Sequence, residues 1–440
     1  MTHAESGPKI ASITAGGAGM YCGSCMRDNT LAAALLRQGC RVELVPLYTP
    51  IRTDEPSVSN DEVFFGGINV FLQQKMPWLR FVPEALDHWL DRPGLLNALA
   101  SGTVSTSAKQ LGALTVSMLR GQHGRQRKEV HRLVTWLANK SRPQLINLSN
   151  VLIAGCVPAM KQALDVPVLV TLQGDDLFLE GLPPRHRKRA LSEIRGLVKS
   201  IDGFLVFSQY YADFMSEYLA IPPEKIHLVP MGINVQGFDR RPSDPARDAD
   251  DRPPTVGYLA RICKEKGLHV LIDAMQMLRT MSGTENANLR IAGWLGADDK
   301  PFFEEQMQRL QKAGLASAVQ YDGVVDRPQK LAFLQDIDVL SVPTVYRDPK
   351  GIFVLEALAA GVPVVQPEHG AFPELLASTG GGRLVRPEDP QHLAETLHEL
   401  LTDSTARRAL GEQGRASVHR SFTADAMAAA TLAVYQKYLT

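Results

Sequence analysis

The chain is poor in cysteine, with five in 440 residues. That number is too small for a disulfide framework and predicts a reducing, cytoplasmic setting. It has no excess charge of either sign, with 47 Lys or Arg against 47 Asp or Glu. A protein built to coat nucleic acid would be basic, so nucleic acid is not an expected partner. No run of apolar residues is long enough for a spanning helix, and the opening MTHAESGPKI has no apolar core, so no secretory leader is expected. Charged residues make up only 21% and hydrophobic ones 45%, which excludes a disordered or coiled-coil chain. This length predicts two or three domains, each able to bury a core.

The halves differ in charge. Residues 1–230 hold 24 Lys or Arg against 20 Asp or Glu, and residues 231–440 hold 23 against 27. Between them FDRRPSDPARDADDRPP, residues 238–254, has four Pro and almost nothing to bury, and reads as a linker.

Short β-branched runs recur in both halves. The first has KIASIT (9–14), RVELVPL (41–47), LINLS (145–149), VPVLVTL (166–172), GFLVFS (203–208) and KIHLVP (225–230). The second has TVGYLA (255–260), LRIAGW (289–294), VQYDGV (319–324), VLSVP (339–343), VPVVQ (362–366) and GRLV (382–385). Nearly continuous apolar runs suit strands buried on both faces of a parallel sheet. Helical spacings lie between them: Leu31, Leu35 and Leu36 after the first run, and Leu268, Leu271, Ile272, Met275 and Leu278 after the seventh. The expected fold is α/β, with two doubly wound Rossmann-like domains facing a cleft. Residues 50–140, with a hairpin around FFGGINVFLQ and then helical text, read as an insertion in the first domain. SFTADAMAAATLAVYQKYL reads as an amphipathic C-terminal helix capped by Thr423.

Three segments carry candidate chemistry. TAGGAGMYCGSC follows the first strand, but Cys22 stands where a dinucleotide fingerprint needs its third glycine, and no acid ends the second strand. A tight turn at Gly16 and Gly17 remains, suited to phosphate oxygens or a close sugar, or serving only as a turn. In GYLARICKEKGLHVL, Arg261 and Lys266 precede a helix opening at Gly267; two such cations can converge on one anion and neutralise a diphosphate leaving group without a metal. In PTVYRDPKGIFVLEALAAGVPVVQPEHGAFPEL, Asp348 and the N–H groups at Gly351 would meet a polyhydroxyl ligand. Glu356, further along the helix, can accept two hydroxyls such as a ribose diol.

Together these strings, with VPMGINVQGF, YLARICKEKGLHVLIDA and EALAAGVPVV, resemble the family-4 retaining glycosyltransferases of the GT-B fold over nearly the whole chain. The resemblance implies transfer of a sugar from a nucleotide diphosphate-sugar (UDP, GDP, ADP or dTDP) to an acceptor that is a saccharide, a lipid or a small molecule. It implies no cofactor and no metal. It assigns the diphosphate to Arg261 and Lys266, the ribose to Glu356, and the donor sugar and phosphate to Asp348, Gly351, Ile352 and Phe353. Val324 would lie near the base, and Gly16 and Gly17 near the donor phosphate. The resemblance also implies a C-terminal helix that crosses back to the first domain.

Three positions depart from the family's pattern. Asp348 replaces a Glu. Lys350 stands where an aromatic is common, and would pair with Asp348, face solvent or meet an acidic sugar. Gln173 stands where many members carry a His near the reacting centre; it cannot exchange a proton but can orient a hydroxyl. A catalytically silent nucleotide-sugar-binding protein is therefore an alternative. Cys22 and Cys25 form a CxxC at a helix start, read as small residues lining the acceptor side, as a redox pair gating transfer, or as part of a metal site. Basic clusters at Arg125–Arg132 and Arg185–Arg189 are solvated helix faces or a peripheral membrane contact. Of two Asp-x-Asp pairs, 248–250 lies in the linker and 336–338 precedes a strand, so neither suits a metal-dependent transferase. The expected organisation is an acceptor domain over 1–237, a linker over 238–254, a donor domain over 255–420 and a returning helix over 421–440.

Overall fold

The computed structural model of the chain describes residues 7–16, 23–60, 64, 108–238 and 252–439. Gly17, Cys22, the hairpin around FFGGINVFLQ and residues 239–251 of the linker segment lie outside the described residues.

All twelve runs read from the sequence are strands, with ends shifted by at most two residues. Proline sets several of these ends, because it donates nothing to a ladder. β4 starts after Pro167 and β11 after Pro363, not at the preceding valines. The first sheet runs β2 (Arg41–Pro46), β1 (Lys9–Thr14), β3 (Leu145–Leu148), β4 (Val168–Thr171), β5 (Gly203–Val206), β6 (Ile226–Leu228). The second runs β12 (Gly382–Val385), β11 (Val364–Pro367), β10 (Val339–Ser341), β7 (Thr255–Leu259), β8 (Asn288–Ala292), β9 (Val319–Gly323). Every pairing is parallel. The central strands β3, β4, β5, β7 and β11 are buried at every residue, as sheets covered by helices on both faces require.

Contacts divide the chain into two compact units. The first is residues Met1–Val229 with Met427–Thr440, and the second is Pro230–Ala426. In the first unit, α1 (Gly23–Arg37) follows β1 and buries Leu31 and Leu35. Leu36 is an exception to the expected stripe and is exposed. Within the segment read as an insertion, α2 (Ala108–Leu119) and α3 (Arg127–Trp136) are helices of the first core. α4 (Asp175–Glu180) follows β4, and the basic run 185–189 opens α5 (Pro184–Leu197). Ile194, Val198 and Ile201 are buried, and Leu191 and Leu197 pack against the same core, so the apolar stripe faces the protein interior. α6 (Gln209–Leu219) is capped by Ser208.

In the second unit, α7 (Leu268–Leu278) buries all five residues expected on its inner face. α8 (Arg327–Asp336) carries a capping box from Asp326 and Gln329. α9 (Ile352–Ala359) is buried almost all round. The terminal helix α10 (Ala424–Leu439) starts in the second unit with Thr423 Oγ1 accepting from Ala426 N–H at 3.1 Å, and from Met427 onward belongs to the first. Its Tyr438 hydroxyl lies 2.6 Å from His227 Nε2 on β6, and its Tyr435 is fully buried. Among the described residues, no helix is long and apolar enough to cross a membrane.

Removing a buried aromatic ring typically costs 3–5 kcal/mol. Tyr435→Ala should therefore destabilise the first unit by about 3 kcal/mol or more, measured as loss of hydrogen-exchange protection in β1 and β5. Unchanged protection there would show that the helix contributes nothing to that core.

Candidate functional site

In an all-parallel sheet the loops after the strands' carboxyl ends are where ligands are met. In the second unit the loop after β7 ends in a single tight turn, Lys264–Lys266, closed by Gly267 at φ +73°. A Cβ on Gly267 would lie 1.7 Å from the carbonyl oxygen of Pro343, so only glycine lets this loop touch the one after β10. Val345 N–H then donates to Glu265 O at 2.9 Å.

The two loops are also joined by charge. Lys266 Nζ lies 2.7 Å from Asp348 Oδ2 and 2.7 Å from the Tyr346 hydroxyl, which itself donates to Asp348 Oδ2 at 2.7 Å. The ammonium also sits about 5 Å from the ring centres of Tyr346 and Phe353, at 5.0 and 5.1 Å. Asp348 Oδ1 accepts the N–H groups of Lys350 (2.9 Å) and Gly351 (3.0 Å), and its carbonyl accepts Ala371 N–H at 2.8 Å. Burial alone would raise the Asp348 pKa, but Lys266 and the two N–H donors outweigh it and hold the carboxyl well below the usual range. Burial and the neighbouring carboxylate raise Tyr346 well above an ordinary phenol, so it stays a donor.

Gly351 is the N-cap of α9, and the first bond of that helix runs from Val354 N–H to Gly351 O. The N–H groups of Ile352 and Phe353 precede it and form the open helix start. One turn on, Glu356 is buried and its Oε1 accepts from Lys330 Nζ of α8 at 2.5 Å. Arg261 is exposed after β7 and makes none of the ion pairs among the described residues. Val324 follows β9 and is also exposed.

Arg261 and Lys266 therefore have different surroundings: one reaches solvent, the other is bound to Asp348. The cation on Asp348 is that of Lys266, while Lys350 gives the carboxylate its backbone N–H. Asp336 pairs with Arg290, and Asp338 binds Arg252 and Thr255 N–H. Tyr346 and Lys330 were not singled out in the sequence. Lys330 is 26 residues from Glu356, and no local spacing signals the pair.

In the first unit, a polar cluster sits at the carboxyl ends of β1, β3, β4 and β5. Gln173, after β4, donates from Nε2 to Ser149 O (2.7 Å) and Asp28 Oδ1 (3.2 Å). Asp28 Oδ2 accepts Thr14 Oγ1–H at 2.9 Å, and Asp28 Oδ1 accepts from Arg27 Nη1 at 3.1 Å. Arg27 and Asp28, adjacent on α1, escaped the sequence reading because a charge pair at a helix start is usually solvated; here both are buried. Gly16 lies at φ +87° beside Thr49. Cys25, Cys40, Cys156 and Cys263 are buried thiols; burial pushes Cys156 up to about 12.

Asp175, at the start of α4, accepts Val151 N–H (2.8 Å) and Gln173 N–H (2.9 Å), fastening the loops after β3 and β4. Burial pushes its carboxyl up to about 6, against the lowering effect of those N–H bonds. Its folded-state pKa is thus above its unfolded one. The native state binds the extra proton, so this group favours folding below about pH 4 and loses that contribution as pH rises through about 6. Urea unfolding across that window should show Asp175→Asn gaining stability relative to the wild type as pH rises; a constant difference would contradict the raised pKa.

Breaking one side of a buried ion pair costs about 3–5 kcal/mol. Lys266→Ala should destabilise the second unit by about 3 kcal/mol, and adding Asp348→Asn should restore part of it, because no uncompensated charge stays buried. Equal urea midpoints for the wild type and Lys266→Ala would show that the pair does not fasten these loops.

Two family models match side by side: Glycosyltransferase Family 4 over residues 113–236, and Glycosyl transferases group 1 over residues 239–417. The MMP alpha-(1->4)-mannosyltransferase of Mycolicibacterium hassiacum is 27% identical over 233 residues, 53% of each chain. The chain's match thus spans about half the length of that curated relative. Among solved structures, sucrose-phosphate synthase from Thermosynechococcus elongatus superimposes with a TM-score of 0.70 at 18% identity, covering 97% of this chain and 98% of that one. Anabaena Alr3699/HepE, crystallised in complex with UDP-glucose, gives 0.66 at 16% identity, covering 97% and 99%. At such identities the superpositions show the fold, two Rossmann-like domains of the GT-B type, and the family models supply the rest: this chain belongs to the family-4 glycosyltransferases.

Proposed function

We propose that the protein is a hexosyltransferase that moves a sugar from a nucleotide diphosphate-sugar to an acceptor hydroxyl, with retention at the anomeric carbon and without a metal ion. The observation that carries this reading is the Lys266–Asp348–Tyr346 cluster. It holds the loop after β7 against the open start of α9, so that the Lys266 ammonium and free N–H groups are offered together. A departing diphosphate carries at least two negative charges, and prearranged cations and helix-start dipoles stabilise them without reorganisation. Arg261 is the exposed cation of the set. Lys266 is the fixed one, neutralised at rest by Asp348, so it offers hydrogen bonds and the orientation of its loop more than net charge.

Asp348 takes a positioning role in this scheme. Both of its oxygens are engaged, which leaves the sugar and phosphate to the N–H groups of Ile352 and Phe353. Glu356, held by Lys330, presents its second oxygen to the ribose. Val324 borders the base. Gln173 orients a sugar hydroxyl in the first unit, whose role is to take the acceptor. HepE's complex with UDP-glucose makes a uridine diphosphate sugar the first donor to test. The engaged state of Asp336 and Asp338 supports chemistry that does not use that pair for a metal. The buried thiols suit a reducing compartment.

Gln173 in place of a histidine favours a second reading, a protein that binds the donor without transferring it. One set of measurements separates them. Melting in the presence of UDP, GDP, ADP or dTDP should rise for one base, because a ligand at a hundred times its dissociation constant stabilises by about 2.7 kcal/mol. Transfer from the matching labelled sugar should then be lost about a hundredfold or more in Arg261→Ala, whose fold is spared because Arg261 is exposed. Failure of every nucleotide to bind would sink both readings; binding without turnover would leave only the second.

A further inference from the structure

The cluster at the carboxyl ends of the first sheet leaves specific atoms unsatisfied. Arg27 is 3% exposed and uses only Nη1, on Asp28. Its Nε and Nη2 are buried and, among the described residues, have no hydrogen-bond partner. Gln173 is 6% exposed and spends its Nε2 on Asp28 and Ser149, while its Oε1 is buried with no partner among the described residues. Asn150 Oδ1, next to Ser149, is in the same condition. The Arg27 guanidinium lies over the Phe207 ring, just after β5, 4.8 Å from its centre.

Buried donors and acceptors left unmade are costly, and a native fold that keeps them needs something to complete them. The unmet atoms define what that is. Two are donors on one edge of a guanidinium, and two are carbonyl-type acceptors. The guanidinium charge is already neutralised by Asp28, with both side chains 1% exposed. An oxoanion would satisfy the arginine edge, but it would bring a second negative charge beside Asp28 and could donate nothing to Gln173. A hydroxyl accepts one hydrogen bond and donates another without adding charge. Arg27 and Gln173 both donate to one oxygen, Asp28 Oδ1, so their unmet atoms belong to one hydrogen-bonded cluster.

We infer that Arg27, Asp28 and Gln173 form a hydroxyl-reading subsite for a neutral polyhydroxylated substrate, a saccharide or cyclitol that lacks phosphate or carboxylate at this end. Arg27 is its specificity-determining residue, and Asp28 sets the charge that rejects anions. The inference rests on the transferase reading for its purpose, since it names the class of acceptor that the first unit takes.

The test uses the full chain and a fixed panel: glucose, galactose, mannose, maltose, sucrose and myo-inositol, against glucose 6-phosphate, mannose 6-phosphate and glucuronate. Binding is read by calorimetry and saturation-transfer NMR. At least one neutral compound should bind, about tenfold or more tighter than its anionic counterpart. Arg27→Lys, which keeps the ion pair but loses the free edge, should weaken it by about tenfold with an unchanged melting temperature. If that variant melts early, Gln173→Met reads the same subsite from its acceptor side and should show the same loss. No binding by any neutral compound up to tens of millimolar, tighter binding of the anionic counterpart, or affinities within about twofold of wild type in a folded variant would each overturn the inference. Nucleotide binding measured on the same samples keeps the two readings apart: sugars without nucleotide sink the transferase, and nucleotide without sugars sinks the subsite alone.

Discussion

The second unit's site depends on one buried contact, the ammonium of Lys266 on the carboxylate of Asp348. A pair removed from water gains little unless every remaining lone pair and proton is satisfied. Here the satisfaction is nearly complete: Tyr346 donates to the same oxygen as the lysine, and the other oxygen takes two consecutive backbone N–H groups. Those N–H groups belong to the residues that lead into α9, so the charge pair also fixes where that helix begins. The carbonyl of Asp348 accepts from Ala371, at the entrance of the next helix. One residue thus sets the positions of the loop after β7, the start of α9 and the loop after β11.

The first unit has the opposite arrangement. Asp175 ties two strand-end loops together with both oxygens used, but the Arg27–Asp28–Gln173 cluster is only half completed. A rigid frame around an incomplete set of donors and acceptors is what a substrate site requires, because the frame is paid for by folding and the missing bonds are supplied by the ligand.

Much of the fold was legible because a buried parallel strand has a simple signature. VLVT, GFLV and VVQP are short and apolar throughout, and proline marks where pairing starts. Loops that carry chemistry were legible where the sequence is local: Lys266 and Gly267 adjoin, and Asp348 and Gly351 are three apart. Relations between distant positions were not. Nothing in the spacing of Lys266 and Asp348, 82 residues apart, distinguishes a resting ion pair from two groups that each await a ligand. The buried state of Arg27 was equally hidden, because it depends on Phe207 and on how β5 meets α1. Leu36 looked like part of an apolar stripe, yet it lies at the edge of the α1 face and meets solvent.

The route of α10 has a consequence for how the protein is made. Its Tyr435 and Tyr438 complete the first unit, but they leave the ribosome only after all of Pro230–Ala426 has been synthesised. Until then the first unit's core lacks the Tyr435 ring that the folded chain buries, so the unit that is made first cannot complete its core in the usual vectorial order.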